Sequence, residues 1–125
     1  MGACTVKTII AGSRSATYQN VIDALSACHF SDDMTEVVSG CAQGADTHGE
    51  TIARSMGIPV AKFPADWKQY GKSAGVRRNS QMAQYADALI AVWDGESRGT
   101  KNMIELASAK WLLVFVYRFN GGAYG

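Results

Sequence analysis

The chain is poor in the residues that staple or stiffen small proteins, with 3 cysteines, 2 prolines and 2 histidines in 125 residues. Cys4, Cys28 and Cys41 are odd in number, widely spaced and form no C-x-x-C pair, so a disulfide framework is not expected. His29 and His48 make no ligand spacing with them, and no structural zinc centre or other metal site is called for. His29 is expected to end a helix and His48 to lie on one. Long apolar runs are also missing: Trp111 to Tyr117 falls far short of the ~18–20 residues that cross a bilayer. Met1 to Ile10 is strand-like, carries Lys7, and lacks the basic start and cleavage site of an export signal. A cytoplasmic protein with no membrane partner is the expectation. Net charge is nearly absent as well, since 12 Lys and Arg stand against 11 Asp and Glu, for +1. Such a balance gives no reason to expect bulk nucleic-acid binding. The hydrophobic content, 47%, is ordinary and excludes disorder and collagen-like repeats. The length suits one domain, residues 1–125, that buries its own core.

What is present is a clean alternation of two periodicities. Val6 to Ala11 is a short, apolar, β-branched run meeting the turn Gly12-Ser13-Arg14. Tyr18, Val21, Ile22, Leu25 and Cys28 then recur at helical spacing, with Ser15 or Thr17 placed to cap. Glu36 to Ser39 reads as a second strand stopped by Gly40. Ala45 to Met56 reads as a helix closed by Gly57-Ile58-Pro59. Val60 to Phe63 is a third strand, followed by a polar stretch, Pro64 to Gly75, and a helix through Met82 and Ala86. Ala88 to Trp93 is a fourth strand, Thr100 to Lys110 a helix and Leu112 to Tyr117 a fifth strand, and the glycine-rich end, Asn120 to Gly125, is expected to fray. Alternating strands and helices predict an α/β fold, a three-layer, Rossmann-like arrangement whose parallel sheet is covered on both faces. Right-handed crossovers lay the first three strands outward, and the longer connection returns the chain to the other side of strand one. The expected strand order is 3-2-1-4-5.

In such sheets ligands bind at the carboxyl ends of the strands, beside the switch point between strands one and four. Four segments fall there: Gly12-Ser13-Arg14, Ser39 to Asp46, Pro64 to Asn79, and Asp94 to Thr100. Glycines 12, 40, 44, 95 and 99 let the backbone approach a ligand, and the helices that follow offer unpaired N–H groups. A phosphate suits these loops, with the Ser97 and Thr100 hydroxyls as extra donors. Strand-to-helix turns of this kind also occur without a ligand; three of them converging argues for something the size of a nucleotide. From Lys62 to Asn79 the chain carries Lys62, Lys68, Lys72, Arg77 and Arg78 against Asp66 alone, a local +4 that leaves −3 elsewhere. Local positive charge on a balanced protein suits a small anion better than a polyanion, which needs many phosphate contacts. Arg77 and Arg78 are expected near the start of a helix, where positive charge opposes the dipole and is better kept for a partner. Asp46 at the start of a helix either caps it or contacts a ribose. Trp93 is expected in the core, whereas Trp67, in a polar loop, is the candidate to stack a base, with Tyr70 beside it.

Two look-alikes fail. Gly71-Lys72-Ser73 imitates the end of a P-loop, but the glycine required five places earlier is Asp66. No G-x-G-x-x-G follows the first strand, and there is no G-x-S-x-G or H-E-x-x-H, so no cofactor is called for. A longer pattern runs through the chain instead. It comprises Gly12-Ser13-Arg14, Val38-Ser39-Gly40-x-Ala42-x-Gly44-Ala45-Asp46, and Phe63-Pro64-Ala65-Asp66-Trp67 leading to Gly71-Lys72, Ala74-Gly75, Arg77, Asn79 and Met82. It continues through Ala86-Asp87, Ile90-Ala91 and Trp93-Asp94-Gly95-x-Ser97-x-Gly99-Thr100-Lys101. From about Thr8 to Tyr117 the chain resembles the YspA/YpsA-related branch of the SLOG superfamily, Rossmann-like domains related to LOG phosphoribohydrolases and to DprA.

The resemblance implies binding of a nucleotide or nucleotide-derived small molecule, in a sensing, sequestering or signalling role of the kind SLOG domains serve in conflict systems, virus–host ones included. It implies a homodimer too, for which the apolar Trp111 to Phe119 segment offers an interface. LOG enzymes carry an arginine in an R-K-x-x-M-like helix and two glutamates after a G-G-x-G-T turn. Arg78-Asn79-Ser80-Gln81-Met82 supplies the arginine and Gly99-Thr100 the turn, but Asn102 and Met103 stand at the glutamate positions. An N-glycosidic bond breaks through an oxocarbenium-like state that a carboxylate stabilises, so this mechanism is not carried over as it stands. A nucleotide N-glycosidase reading needs Arg78 and a carboxylate from elsewhere: Glu105 on the same helix, or Asp46, Glu50 or Glu96. A third reading is a protein-interaction module without a ligand. For the leading reading, Gly99, Thr100 and Ser97 hold phosphate, Arg78 and Arg14 neutralise it, and Asp46 contacts ribose. Gly12, Ser13, Gly40, Gly44, Trp67, Arg77, Asn79, Asp94 and Gly95 complete the expected site.

Overall fold

The computed structural model describes residues 5–119; Cys4 and the glycine-rich end from Asn120 to Gly125 lie outside it. Five parallel strands, β1 (Lys7–Gly12), β2 (Glu36–Ser39), β3 (Val60–Lys62), β4 (Ala88–Trp93) and β5 (Leu113–Arg118), form one sheet. Its order is β3-β2-β1-β4-β5, as the chain's alternation predicts. β1 pairs with β4 from Thr8 opposite Ala88 to Gly12 opposite Val92, so both chains leave the sheet together at the switch point.

The helices are α1 (Tyr18–Ala27), α2 (Ala45–Ser55), α3 (Trp67–Tyr70), α4 (Ala74–Tyr85) and α5 (Arg98–Ala109); all but the short α3 cover the sheet. Because strand side chains alternate, neighbouring residues of β1 feed opposite layers. Ile10, Val37, Ile90 and Val92 pack with Val21, Ala24, Ile52 and Ala53 of α1 and α2. Ile9, Val38, Leu89 and Ala91 pack with Met82, Ala83, Met103 and Ala107 of α4 and α5. β4 is buried from Ala88 through Val92, which is why it reads as an unbroken apolar run rather than an alternating one.

Local chemistry sets the element ends. Thr17 caps α1 reciprocally with Asn20: the Asn20 N–H donates to Thr17 Oγ1 at 3.0 Å and the Thr17 N–H to Asn20 Oδ1 at 2.9 Å. Past α2, Gly57 takes φ +72, the left-handed conformation that ends many helices. Three features depart from the expected elements. The polar stretch after β3 is partly helical: Asp66 Oδ1 accepts the Gln69 N–H at 3.1 Å and starts α3, which runs through a 3-10 turn at Gly71–Ser73 into α4. α5 begins two residues early, at Arg98, because the Lys101 N–H reaches the Ser97 carbonyl at 3.1 Å and closes a first turn. β5 starts one residue late. Trp111 takes φ +62, and the Leu112 N–H returns to the Ala107 carbonyl at 3.1 Å, so both finish the helix.

Candidate functional site

A cleft of about 910 Å³ opens at the carboxyl ends of the strands, over the switch point. The loop after β1 contributes Gly12, Ser13 and Arg14, the loop after β2 Gly40 and Cys41, and the loop after β4 Asp94 and Ser97. Asp46 comes from α2, Arg98, Gly99, Thr100 and Asn102 from α5, Trp67 from α3, and Arg78, Asn79 and Met82 from α4.

The floor is built around Gly40. A side chain there would displace the two groups that face it: an added Cβ lies 2.7 Å from Arg78 Nη1 and 2.8 Å from Asp46 Oδ2. Arg78 donates through Nη1 to the Gly40 carbonyl and through Nε to Asn79 Oδ1 at 2.9 Å. Asn79, only 7% exposed, passes the connection on, its Nδ2 donating to Asn102 Oδ1 at 2.9 Å and to the Gly99 carbonyl at 3.3 Å. One polar chain thus ties the floor to the first turn of α5 and fixes the guanidinium. Asp46 is buried, and its Oδ2 accepts the Ala42 N–H at 3.3 Å. Burial pushes its carboxyl up from 3.8 to about 6, against the opposing pull of the Ala42 N–H and of the Arg78 charge.

At the other wall Ser13 and Asp94 organise the loops. Ser13 is buried, its N–H donates to the Val92 carbonyl at 3.0 Å, and its Oγ accepts the Asp94 N–H at 3.0 Å. Asp94 Oδ1 accepts the N–H groups of Glu96 and Ser97, both at 2.8 Å. Burial pushes the Asp94 carboxyl up slightly, but these donors outweigh it and hold the group below its ordinary value. The turn they make presents Ser97 and Thr100, whose hydroxyls lie 3.1 Å apart at the start of α5. No side chain caps α5, so its first N–H groups remain free for an incoming acceptor.

The cleft gathers Gly12, Ser13, Arg14, Gly40, Asp46, Trp67, Arg78, Asn79, Asp94, Ser97, Gly99 and Thr100 from the sequence-derived set. Trp67 is 57% exposed, with its ring edge 3.4 Å from the Cβ position of Gly75. Four members lie outside the lining. Arg77 stacks on the Tyr70 ring at 4.4 Å and bonds Ser73 Oγ at 3.1 Å, turned to the outer side of α4. Gly44, at φ +80, is the N-cap of α2 and backs onto the Ser13 and Arg14 backbone rather than facing the opening. Gly95, at φ +86, turns its loop beside Arg118, and Glu105 is exposed further along α5. Of the other carboxylates considered, Glu96 is exposed, while Glu50 is buried beneath the loop, accepting Ser39 Oγ at 2.5 Å and pairing with Arg54 at 3.2 Å. Asp46 and Asp94 are therefore the two carboxylates that line the cleft.

Cys41, Lys72, Val76 and Arg98 fall in segments the sequence placed at this edge but were not singled out as lining residues, and Asn102 and Met103 lie beyond those segments. Arg98 is the first residue of α5, a helix whose start was read two residues late, at Thr100. Cys41 takes φ +64, which no spacing rule announces. Among the described residues no group of three His, Cys, Asp or Glu is placed to hold a metal ion, and no helix is long and apolar enough to cross a membrane.

Residues 6–70 match the model of the YAcAr family, described as YspA, cpYpsA-related SLOG family. The chain belongs to this SLOG family. The Gene 61 protein of Mycobacterium phage D29 is 36% identical over 109 residues, an alignment spanning 81% of this chain and 87% of the phage protein. In fold the SLOG chain resembles DNA processing protein A of Streptococcus pneumoniae, with a TM-score of 0.69 over 90% of its length at 18% identity. It spans 50% of that longer protein, and the likeness is one of fold. The matched segment includes the loops after β1 and β2, Asp46 and Trp67. SLOG membership goes with a nucleotide-related ligand on a Rossmann-like fold.

Proposed function

We propose that the protein binds a nucleotide or a nucleotide-derived small molecule in this cleft, in a sensing, sequestering or signalling role. The observation that carries the reading is convergence: Arg78, the uncapped start of α5 with Ser97 and Thr100, and buried Asp46 line one cleft at the switch point. Phosphate meets the α5 N–H groups, the two hydroxyls and the guanidinium, which together make an anion-binding set. Asp46 accepts from ribose hydroxyls on the floor, and Trp67 covers the base. Gly12, Gly40 and Gly99 let the ligand approach the backbone, while Ser13, Asn79 and Asp94 hold its loops in place. Similarity to a phage protein supports a role in virus–host conflict. The reading treats residues 1–125 as one nucleotide-binding domain that works in the cytoplasm.

The experiment is a melting curve with and without micromolar nucleotide, joined to mass spectrometry of any ligand released when freshly purified protein is denatured. A raised melting temperature that Arg78→Ala or Thr100→Val abolishes is the expected result. No shift with any nucleotide, and no released ligand, leaves the protein-interaction module as the better account. One observation favours turnover: Asp46 is buried beside Arg78 with a carboxyl near 6, the range of a general acid or base. Steady release of free base from nucleotide, lost in Asp46→Asn, identifies an N-glycosidase. A homodimer is supported by β5, an edge strand with Leu113 and Val116 exposed beside Trp111. A monomer on sizing chromatography removes it.

A further inference from the structure

The carboxylate on the cleft floor deepens the nucleotide reading, on which the following inference rests. Asp46 is 4% exposed, and its bonds leave it short of donors. Its Oδ2 accepts the Ala42 N–H at 3.3 Å, longer than the ~2.9 Å of a well-formed bond, and its Oδ1 accepts from no group among the described residues. That oxygen is not sealed in: among the described residues the one fully buried side-chain oxygen or nitrogen without a partner is Thr8 Oγ1. Asp46 lines the cleft, so its unpartnered oxygen opens there. Glu50 differs, since it takes the Ser39 hydroxyl at 2.5 Å and pairs with Arg54 at 3.2 Å and Lys62 at 3.9 Å. A buried carboxylate left short of donors costs stability, and its place on a cleft floor calls for a donor from the ligand.

Arg78 faces the same spot. Its Nη1 and Asp46 Oδ2 lie 2.7 and 2.8 Å from the Cβ position of Gly40, so their separation is no more than those two distances laid end to end. No ion pair closes between them, which puts them more than 4.0 Å apart. The guanidinium is held there by the Gly40 carbonyl and Asn79 Oδ1, while its Nη2 makes no bond among the described residues and remains for phosphate. A single oxygen bonded to both groups at ~2.8 Å and a tetrahedral angle needs partners about 4.6 Å apart, inside that interval. A hydroxyl is the group that accepts from a guanidinium and donates to a carboxylate through one oxygen. A neighbouring donor and acceptor on a base edge make parallel bonds, which need partners about 2.3 Å apart, and an ionised phosphate has no proton for a carboxylate. We propose that one ribose hydroxyl bridges Asp46 and Arg78, which makes the cleft selective for ribonucleotides over forms that lack this hydroxyl. Gly40 keeps the space between the two groups clear.

Calorimetric titration of the full chain, above the pH of about 6 at which Asp46 titrates, tests this. The 5′-mono- and diphosphates of the four common ribonucleosides identify the tightest binder, and its 2′-deoxy and 3′-deoxy forms are then titrated. One of the two deoxy forms binds at least about tenfold more weakly, because it leaves the buried carboxylate without its donor. Asp46→Ala brings that form to within about threefold of the ribonucleotide, and Asp46→Asn, which keeps an oxygen but not the charge, narrows the gap. Asp32→Asn, on an exposed carboxylate ahead of β2, leaves the preference as it is. Equal affinity for all three forms, as a base-edge contact would give, overturns the hydroxyl assignment and leaves the nucleotide reading standing. A preference unchanged in Asp46→Asn overturns it as well, whether or not the alanine variant folds. No binding of any nucleotide overturns both.

Discussion

Replacing Asp46 by asparagine isolates the charge that the fold finds hardest to keep. The carboxyl is 4% exposed, and burial raises its pKa from 3.8 to about 6 against the Ala42 N–H and the Arg78 charge, with Glu50 adding to the rise. The folded state therefore holds this proton more tightly than the unfolded chain does. Its contribution to stability is fully present below about pH 4 and is lost as pH rises through about 6. A difference of about two pKa units corresponds to about 3 kcal/mol across that window. Asparagine keeps the shape and an oxygen for the Ala42 N–H but cannot ionise. Urea unfolding of both proteins at half-unit steps from pH 4 to 8 gives the difference in unfolding free energy at each step. The variant is expected to gain on the wild type with rising pH by about 3 kcal/mol in all, levelling above pH 7. Asp94 titrates with the opposite sign, but it is common to both proteins and cancels. A pH-independent difference refutes the burial argument. A wild type that gains on the variant as pH rises shows instead that the Arg78 charge dominates.

Three further substitutions test the placement of the site and the core. Arg78→Ala is expected to abolish a nucleotide-dependent rise in melting temperature, whereas Arg77→Ala, whose guanidinium lies on Tyr70, retains it; the same melting curves read both. Gly40→Ala puts a methyl group 2.7 Å from Arg78 Nη1 and 2.8 Å from Asp46 Oδ2, so calorimetry should show lost ligand binding and urea unfolding a loss of about 1–3 kcal/mol. Met82→Ala empties a position 1% exposed between the sheet and α5, with an expected cost of about 2–5 kcal/mol by urea unfolding.

The fold was legible because its signals are local and repeated. Ala88 to Val92 is uniformly apolar because β4 is buried on both faces, and the glycine past α2 marks a left-handed residue that most side chains resist. Strand order followed from crossover handedness and one long return connection. The failures sit where the deciding contact is a single hydrogen bond. Asp66 starts α3 by accepting the Gln69 N–H, and nothing in the polar composition of that stretch distinguishes such a cap from a loop. Trp111 is a residue for which the left-handed region is costly, yet it completes the end of α5 and delays β5 by one position.

At the site, sequence located loops but could not aim side chains. Arg77 and Arg78 are adjacent and chemically identical, and a helix turns successive residues by about a quarter of a circle, so only one can face the cleft. Composition cannot choose between them. The choice follows from Tyr70 and Ser73 outside and the Gly40 carbonyl inside, contacts with separations of 7, 4 and 38 residues. Asn102 was legible as a missing carboxylate, but its structural consequence was not. Its Oδ1 accepts from Asn79, which in turn accepts from Arg78, so a neutral amide completes the chain that fixes the guanidinium. A glutamate there would add a negative charge beside the uncapped start of α5 and offset part of the field of Arg14, Lys72, Arg78 and Arg98, the cations that line the cleft. With asparagine that field is undiminished, and Asp46 and Asp94 remain the two carboxylates that line the cleft.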